Sequence, residues 1–161
     1  MRLIELSQGK YAKVDDYLFD YLNQWKWYYD GKYARRNVYE KGKLVRRVLM
    51  HRVVAGIGDG EFTDHRDLDM LNNQESNLRT ATKQQNAANT RKQPNHSSMY
   101  KGVSKCKNRW RTQIWKDNKK VYDALFPKER WAAMAYSLNA PALFGEYARL
   151  NFPDAILVVQ E

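Results

Sequence analysis

A single cysteine, Cys106, stands among 161 residues, which excludes a disulfide framework and any zinc site built on several thiolates. One lone thiol fits a reducing compartment, and Cys106 reads as a small packed side chain rather than a nucleophile. Long hydrophobic runs are missing as well. No stretch of about 18 apolar residues occurs, and the opening Met1-Arg-Leu-Ile-Glu-Leu-Ser7 lacks the apolar core of a signal peptide. The expectation is a soluble cytoplasmic protein with no membrane partner. Acidic residues are scarce beside basic ones: 18 Asp and Glu face 28 Lys and Arg, a net charge of +10. A surface of that sign attracts polyanions, and nucleic acid is the polyanion expected first.

What is present can build a core. Hydrophobic residues make up 43% of the chain and aromatics 13%, too much for a disordered chain. From Leu3 to Val48 the sequence reads as short strands with turns at Gly9, Asp30-Gly31 and Lys41-Gly42, interrupted by an aromatic-rich stretch from Tyr17 to Tyr29. Asp30-Gly31 is a hairpin signal, because both residues tolerate positive φ. Leu49, Val53 and Ile57 fall at helical spacing and run into Gly56, Gly58 and Gly60, which end a short helix. The polar run from Asn89 to Ser98 reads as a linker, with a domain boundary near residue 95 and His96 solvated within it.

Between these lies a dense polar constellation: Asp64-His65, Asn72-Asn73, Ser76-Asn77-Leu78-Arg79, Gln85-Asn86 and Asn89. Its spacing resembles the phage and homing-type HNH endonucleases over roughly residues 45–92. The resemblance implies a ββα-metal motif, a hairpin followed by a helix around one divalent ion, at about residues 60–92. It implies His65 as general base, Asp64 and Asn86 as metal ligands, and Asn77 as a brace that orients His65. These roles suit the chemistry. A neutral imidazole can take a proton from water, and a carboxylate with an amide carbonyl is a hard-oxygen pair of the kind that holds Mg²⁺, with Mn²⁺ able to substitute. Asn89 would contact phosphate or cap the helix. Arg52, in a His51-Arg52 pair that commonly precedes the motif, is assigned to packing or a phosphate contact. Where relatives carry glycine in the loop after Asp-His, this chain has Leu68, so a different loop conformation is expected.

Tyr100-Lys-Gly-Val103, Arg109-Trp-Arg111 and Ala148-Arg-Leu-Asn-Phe-Pro153 resemble the APETALA-type DNA-binding domain over roughly residues 98–153. The Leu-Gly-x-Phe usual on its third strand is replaced by Tyr122-Asp-Ala-Leu-Phe126. Independently of that likeness, a two-residue turn at Asp117-Asn118 would pair Trp115 with Lys120, Gln113 with Tyr122 and Arg111 with Ala124. One sheet face then collects Arg109, Arg111, Gln113, Trp115, Lys120 and Tyr122, leaving Trp110, Ile114, Val121 and Leu125 on the core face. Pro127 opens a helix that runs to Ala140 and is closed by Pro141.

The expected architecture is α+β: a β-rich N-terminal part leads into the ββα-metal nuclease motif, and a small three-stranded sheet packed on one helix follows. The expected domains are an HNH nuclease domain over 1–95 and an APETALA-type domain over 96–161. The implied function is Mg²⁺-dependent hydrolysis of double-stranded DNA by a monomer, in the host cytoplasm if phage-encoded, without zinc or a small-molecule cofactor. Arg91, Lys92 and Lys101 join Arg52 and the sheet face as DNA contacts. Two other readings stay open: a DNA-binding protein of the same fold without catalysis, and an RNA-directed nuclease.

Overall fold

A computed structural model describes residues 1–58, 60–92 and 96–153. The chain is α+β and divides into two compact units, Met1–Thr82 and Lys83–Glu161. The boundary expected near residue 95 lies outside the described residues.

In the first unit, β1 (Arg2–Glu5) and β2 (Tyr11–Val14) pair antiparallel, with Leu3 against Lys13 and Ile4 against Ala12. Strand alternation decides what they bury. Ile4, Ala12 and Val14 point inward, while Leu3 and Tyr11 stay exposed. The aromatic stretch that interrupts the expected strands forms α1 (Asp16–Asn23). Its Leu18 and Leu22, one turn apart, pack on the core, and Tyr17 and Tyr21 face water. Trp27 is buried beside them and its Nε1 donates to the Leu22 carbonyl at 2.8 Å, so the indole brings no unmet polar group into the core.

A three-stranded meander follows, β3 (Tyr28–Tyr29), β4 (Ala34–Glu40) and β5 (Lys43–Leu49), in the order β3-β4-β5. The Asp30-Gly31 hairpin forms as expected, with Tyr29 paired to Ala34. Its loop is closed by the Asp30 carboxylate, which accepts from the Lys32 and Tyr33 amides at 3.0 and 2.7 Å. The helix expected over Leu49–Ile57 is α2 (Met50–Ala55), stopped by Gly56 in the left-handed region at φ 62°. The unit ends in a two-stranded hairpin, β6 (Phe62–His65) and β7 (Leu78–Ala81).

The second unit opens with α3 (Lys83–Asn89) and contains an antiparallel sheet of β8 (Val103–Cys106), β9 (Arg109–Lys116) and β10 (Lys119–Phe126), with β9 in the centre. One helix, α4 (Glu129–Phe144), packs on all three strands. Ala132, Ala133 and Ala140 are fully buried, and Thr112 on β9 donates to the Ala132 carbonyl at 2.6 Å. Small side chains thus let helix and sheet backbones come close. Cys106 is half-buried at the end of β8.

Two expectations need correction. Pro141 does not close α4; it sits inside the last turn, and the helix continues to Phe144 with Gly145 at its C-cap. Near a C-terminus proline forfeits only the bond to the Ser137 carbonyl, and Ser137 is otherwise anchored, its Oγ accepting from the Asn151 and Phe152 amides. The β9–β10 turn does have Asp117 and Asn118 both at positive φ, 51° and 59°, and Trp115 does pair with Lys120. Past Lys120, however, a bulge shifts the register, and Tyr122 pairs with Ile114, Asp123 with Gln113, and Leu125 with Arg111. A one-residue slip exchanges the faces of a strand. Tyr122 therefore packs toward α4 with Ile114 and Tyr136, while Asp123 and the half-exposed Leu125 join the outer face and Val121 is exposed at the bulge.

Gly102, at φ 72°, lies against the buried Tyr136 ring, and a Cβ there would fall 2.1 Å from Tyr136 Cδ2. Gly102→Ala combines a left-handed alanine with a clash against a ring that has nowhere to go. It should lower unfolding free energy by on the order of 2–4 kcal/mol. Chemical denaturation of the two proteins measures it.

Candidate functional site

The β6–β7 hairpin pairs Asp64 with Arg79 and His65 with Leu78. Neighbours on a strand point to opposite faces, so Asp64 and His65 leave β6 on different sides. Both are almost wholly buried, at 1% and 2% exposure. The loop between the strands, residues 66–77, is closed by Asn77. Its backbone carbonyl accepts from the Arg66 amide at 2.9 Å, and its Oδ1 accepts from the Asp67 amide at 3.1 Å. Its Nδ2 donates to Asp67 Oδ1 at 2.9 Å and to the Asn72 carbonyl at 2.8 Å. An amide is suited to this, since it donates and accepts together.

Asp67 is the hub of the same loop. Its oxygens also accept from the Asn72 side chain at 2.7 Å and the Asp69 amide at 2.8 Å. Burial alone would raise its pKa, but these bonds together hold the carboxyl below its ordinary value. Leu68, which stands where a glycine was expected, takes φ 64°. The loop thus holds a left-handed residue there and accepts the strain of a branched side chain. The loop is also fastened to the rest of the unit. Lys13 on β2 donates its amide to the Leu71 carbonyl and accepts from the Asn73 amide, both at 2.8 Å, and its Nζ meets Asp69 at 2.9 Å. The Asp15 carboxylate accepts from the Glu75 amide at 2.7 Å.

His65 lies against a second histidine. The His51 ring, from α2, meets it edge-on at 5.1 Å between centroids, and Tyr33 covers both at 5.0 and 6.3 Å. His51 is 7% exposed, and its Nδ1 is buried without a hydrogen bond. Burial first, then the neighbouring His65, pushes the His51 pKa down to about 3. Burial also lowers that of His65, against the opposing pull of Asn73 and of the Asp67, Asp64 and Asp69 carboxylates. Both rings are therefore neutral at neutral pH. His51, Tyr33 and the fully buried Asn73 are members of this cluster to which the sequence assigned no site role. The His51-Arg52 dipeptide was the available signal for one of them.

Arg79 reaches across the hairpin to Asp64, its Nε and Nη2 at 2.9 and 2.7 Å from Oδ2. Arg52 is turned to its own loop, its guanidinium donating to the Glu61 carbonyl at 3.0 Å and to that of Gly58. Asn86 and the buried Asn89 are on α3, in the second unit.

In that unit the outer face of the sheet carries Arg109, Arg111, Gln113, Trp115 and Lys120, with Trp115 55% exposed. Asp123, brought to the same face by the bulge, accepts a two-pronged contact from Arg111 at 2.6 and 2.5 Å and a further one from Lys120. Arg111 first and Lys120 second hold the Asp123 carboxyl well below its usual range. Lys101 is committed to the end of α3, donating to the carbonyls of Ala87, Ala88 and Thr90 at 3.0, 2.6 and 2.8 Å. Lys92 meets the Val103 carbonyl at 3.4 Å, and Arg91 is exposed.

The histidine pair sets a pH dependence of stability. A histidine buried neutral, with its pKa moved from 6.5 to about 3, stabilises the fold fully above pH 6.5 and progressively less as pH falls toward 3. Unfolding free energy should drop by about 1.4 kcal/mol per pH unit for His51 alone from just below pH 6.5. Asp67 cannot cause a loss there, because its carboxyl titrates below 3.8. Denaturant titrations from pH 7 to pH 5 check this, and His51→Gln should flatten the profile.

One curated relative, an uncharacterized HNH endonuclease of Acanthamoeba polyphaga mimivirus, is 34% identical over 155 residues, an alignment covering 94% of this chain and 80% of the relative. No family model matches the chain. No solved structure matches it. An alignment of that identity and extent takes in the Asp64-His65 hairpin and both units alike, and the chain belongs to the HNH endonucleases.

Proposed function

We propose that this protein is a metal-dependent DNA endonuclease, with His65 as the general base that activates water for attack on a phosphodiester. The observation that carries this reading is the state of His65: a buried imidazole, kept neutral, at the end of a strand whose following loop is locked by Asn77. A base must be unprotonated before it can accept a proton, and depression of its pKa ensures that at neutral pH. Asn77 is the brace. By tying Arg66 and Asp67 to β7 it fixes the backbone that follows His65, and His51 and Tyr33 limit how the ring can turn.

The donor set fits a hard divalent ion such as Mg²⁺. Such an ion keeps most of its water and takes one or two protein oxygens. Asp64 would be its charged ligand. When bound, the ion neutralises charge developing on the phosphate and the leaving oxygen. Substrate affinity comes in part from the second unit, whose sheet and helix fit the APETALA-type resemblance. Its outer face offers Arg109, Arg111, Gln113, Trp115 and Lys120 to a duplex, and the exposed Arg91 would add a phosphate contact.

A second reading is favoured by the Asp64–Arg79 ion pair, buried at 1% and 8% exposure: a carboxylate so engaged suits a DNA-binding protein that does not cut. Supercoiled plasmid separates the two. The nuclease reading expects nicked or linear product in Mg²⁺ and none in EDTA, and a loss of about 10²–10⁴ in rate for His65→Ala with duplex affinity unchanged. Intact plasmid in both Mg²⁺ and Mn²⁺, with binding retained, would leave only the second reading. Wild-type rates in His65→Ala would remove His65 from the mechanism.

A further inference from the structure

The ribbon formed by β4 and β5 has no part in the site described above, yet it carries a dense local positive charge. Residues 34–49 hold six Lys and Arg against one Glu. The two strands, seven residues each, are joined by Lys41-Gly42 with both residues at positive φ, 48° and 77°. At about 3.3 Å per residue this is an arm of roughly 20 Å. Most of β5 is in water: Lys43, Leu44, Val45, Arg46 and Arg47 are all exposed.

Two features separate this ribbon from an ordinary solvated surface. The first is the lack of counter-charge. Among the described residues no carboxylate pairs with Arg36, Arg46, Arg47 or Lys43, and Arg36 lies over the Trp25 ring at 4.2 Å, with Arg46 near enough that their charges repel. Like charges set together on a sheet destabilise it, so the arrangement calls for an external anion. The basic sheet of the second unit differs, because Asp123 neutralises Arg111 and Lys120 there. The second feature is the distribution of the charge. Arg47 pairs with Asn37 and Arg46 with Val38, so successive arginines point to opposite faces of the ribbon. Charge on one face suits lying on a surface; charge on both suits standing between two walls of phosphate. A two-stranded ribbon is also of a size that the major groove, about 12 Å wide, admits. Tyr39, Leu44 and Val45, exposed near the tip at 59%, 43% and 52%, would meet sugars and base edges there rather than water.

From these observations we propose that the β4–β5 ribbon is a second duplex-DNA contact of this protein, inserted in a groove with Arg46 and Arg47 each neutralising a phosphate. This rests on the nuclease reading in taking DNA as the substrate. The ribbon is coupled directly to the candidate base, since β5 runs into α2, whose His51 ring touches His65 within the same unit.

The test uses the full chain and a labelled DNA duplex in EDTA, so that binding is read without cleavage, over a series of salt concentrations. The Arg46→Ala/Arg47→Ala protein should bind more weakly at low salt, and its slope of log affinity against log salt should be shallower by about 2, close to 0.9 for each phosphate that is no longer neutralised. Arg46→Lys/Arg47→Lys, which keeps the charge, should retain the wild-type slope. His65→Ala should also retain it, so that failure of the ribbon and failure of the assigned base are distinguishable. An unchanged slope in the double alanine protein overturns the proposal, as does a lysine protein as weak as the alanine one with its thermal unfolding unchanged. A slope change seen with structured RNA but not with duplex DNA overturns it too, by assigning the ribbon to RNA.

Discussion

The candidate base depends on one closed loop, and that loop depends on the Asn77 amide. Twelve residues separate β6 from β7, and a loop of that length has many conformations to lose. Asn77 removes that freedom at both ends. It accepts from the Arg66 and Asp67 amides just after His65 and donates to Asp67 and Asn72 within the loop. Because the loop is also stitched to β2 through Lys13 and capped by Asp15, the position of His65 is tied to the N-terminal core as well as to its own hairpin. The strain at Leu68 is tolerated for the same reason: a backbone held from both sides can keep a left-handed leucine.

The two basic surfaces differ electrostatically. On the outer face of the second unit's sheet, Asp123 holds Arg111 flat in a two-pronged contact, so a phosphate must compete with a carboxylate for that guanidinium. Such a surface favours ligands that bring more than charge, such as base edges for Gln113 and a stacking partner for the exposed Trp115. On the β4–β5 ribbon no described carboxylate pairs with Arg46 or Arg47, so these respond to charge more directly. Positioning and discrimination can thus rest on different parts of one chain.

Residues with short-range partners were legible in the sequence. Lys41-Gly42 and Asp117-Asn118 form turns with both residues at positive φ, Asp30-Gly31 opens a hairpin loop in which Gly31 alone takes it, and Gly56 stops α2 where a helix should end. The three-stranded sheet with its helix was readable from alternation and from the alanines that now lie at 0% exposure. The polar constellation was visible as a set, and Asn77 within it closes the loop that follows His65.

What escaped the sequence depended on long-range contacts. Residue types alone do not announce the bulge after Lys120, yet it moves Tyr122 inward and brings Asp123 out to meet Arg111. Lys101 counted as one more surface cation until the fold brought the end of α3 to its ammonium. His51 and Tyr33 are fourteen and thirty-two residues from His65, and only packing puts their rings against it. The sequence by itself determined the local turns, the element types and the chemistry available at each position, since these follow from φ preferences, periodicity and side-chain functional groups. The tertiary structure decided which cations are paired with a carboxylate and which histidine is buried beside which, because compensation and burial exist only between groups that folding has brought together.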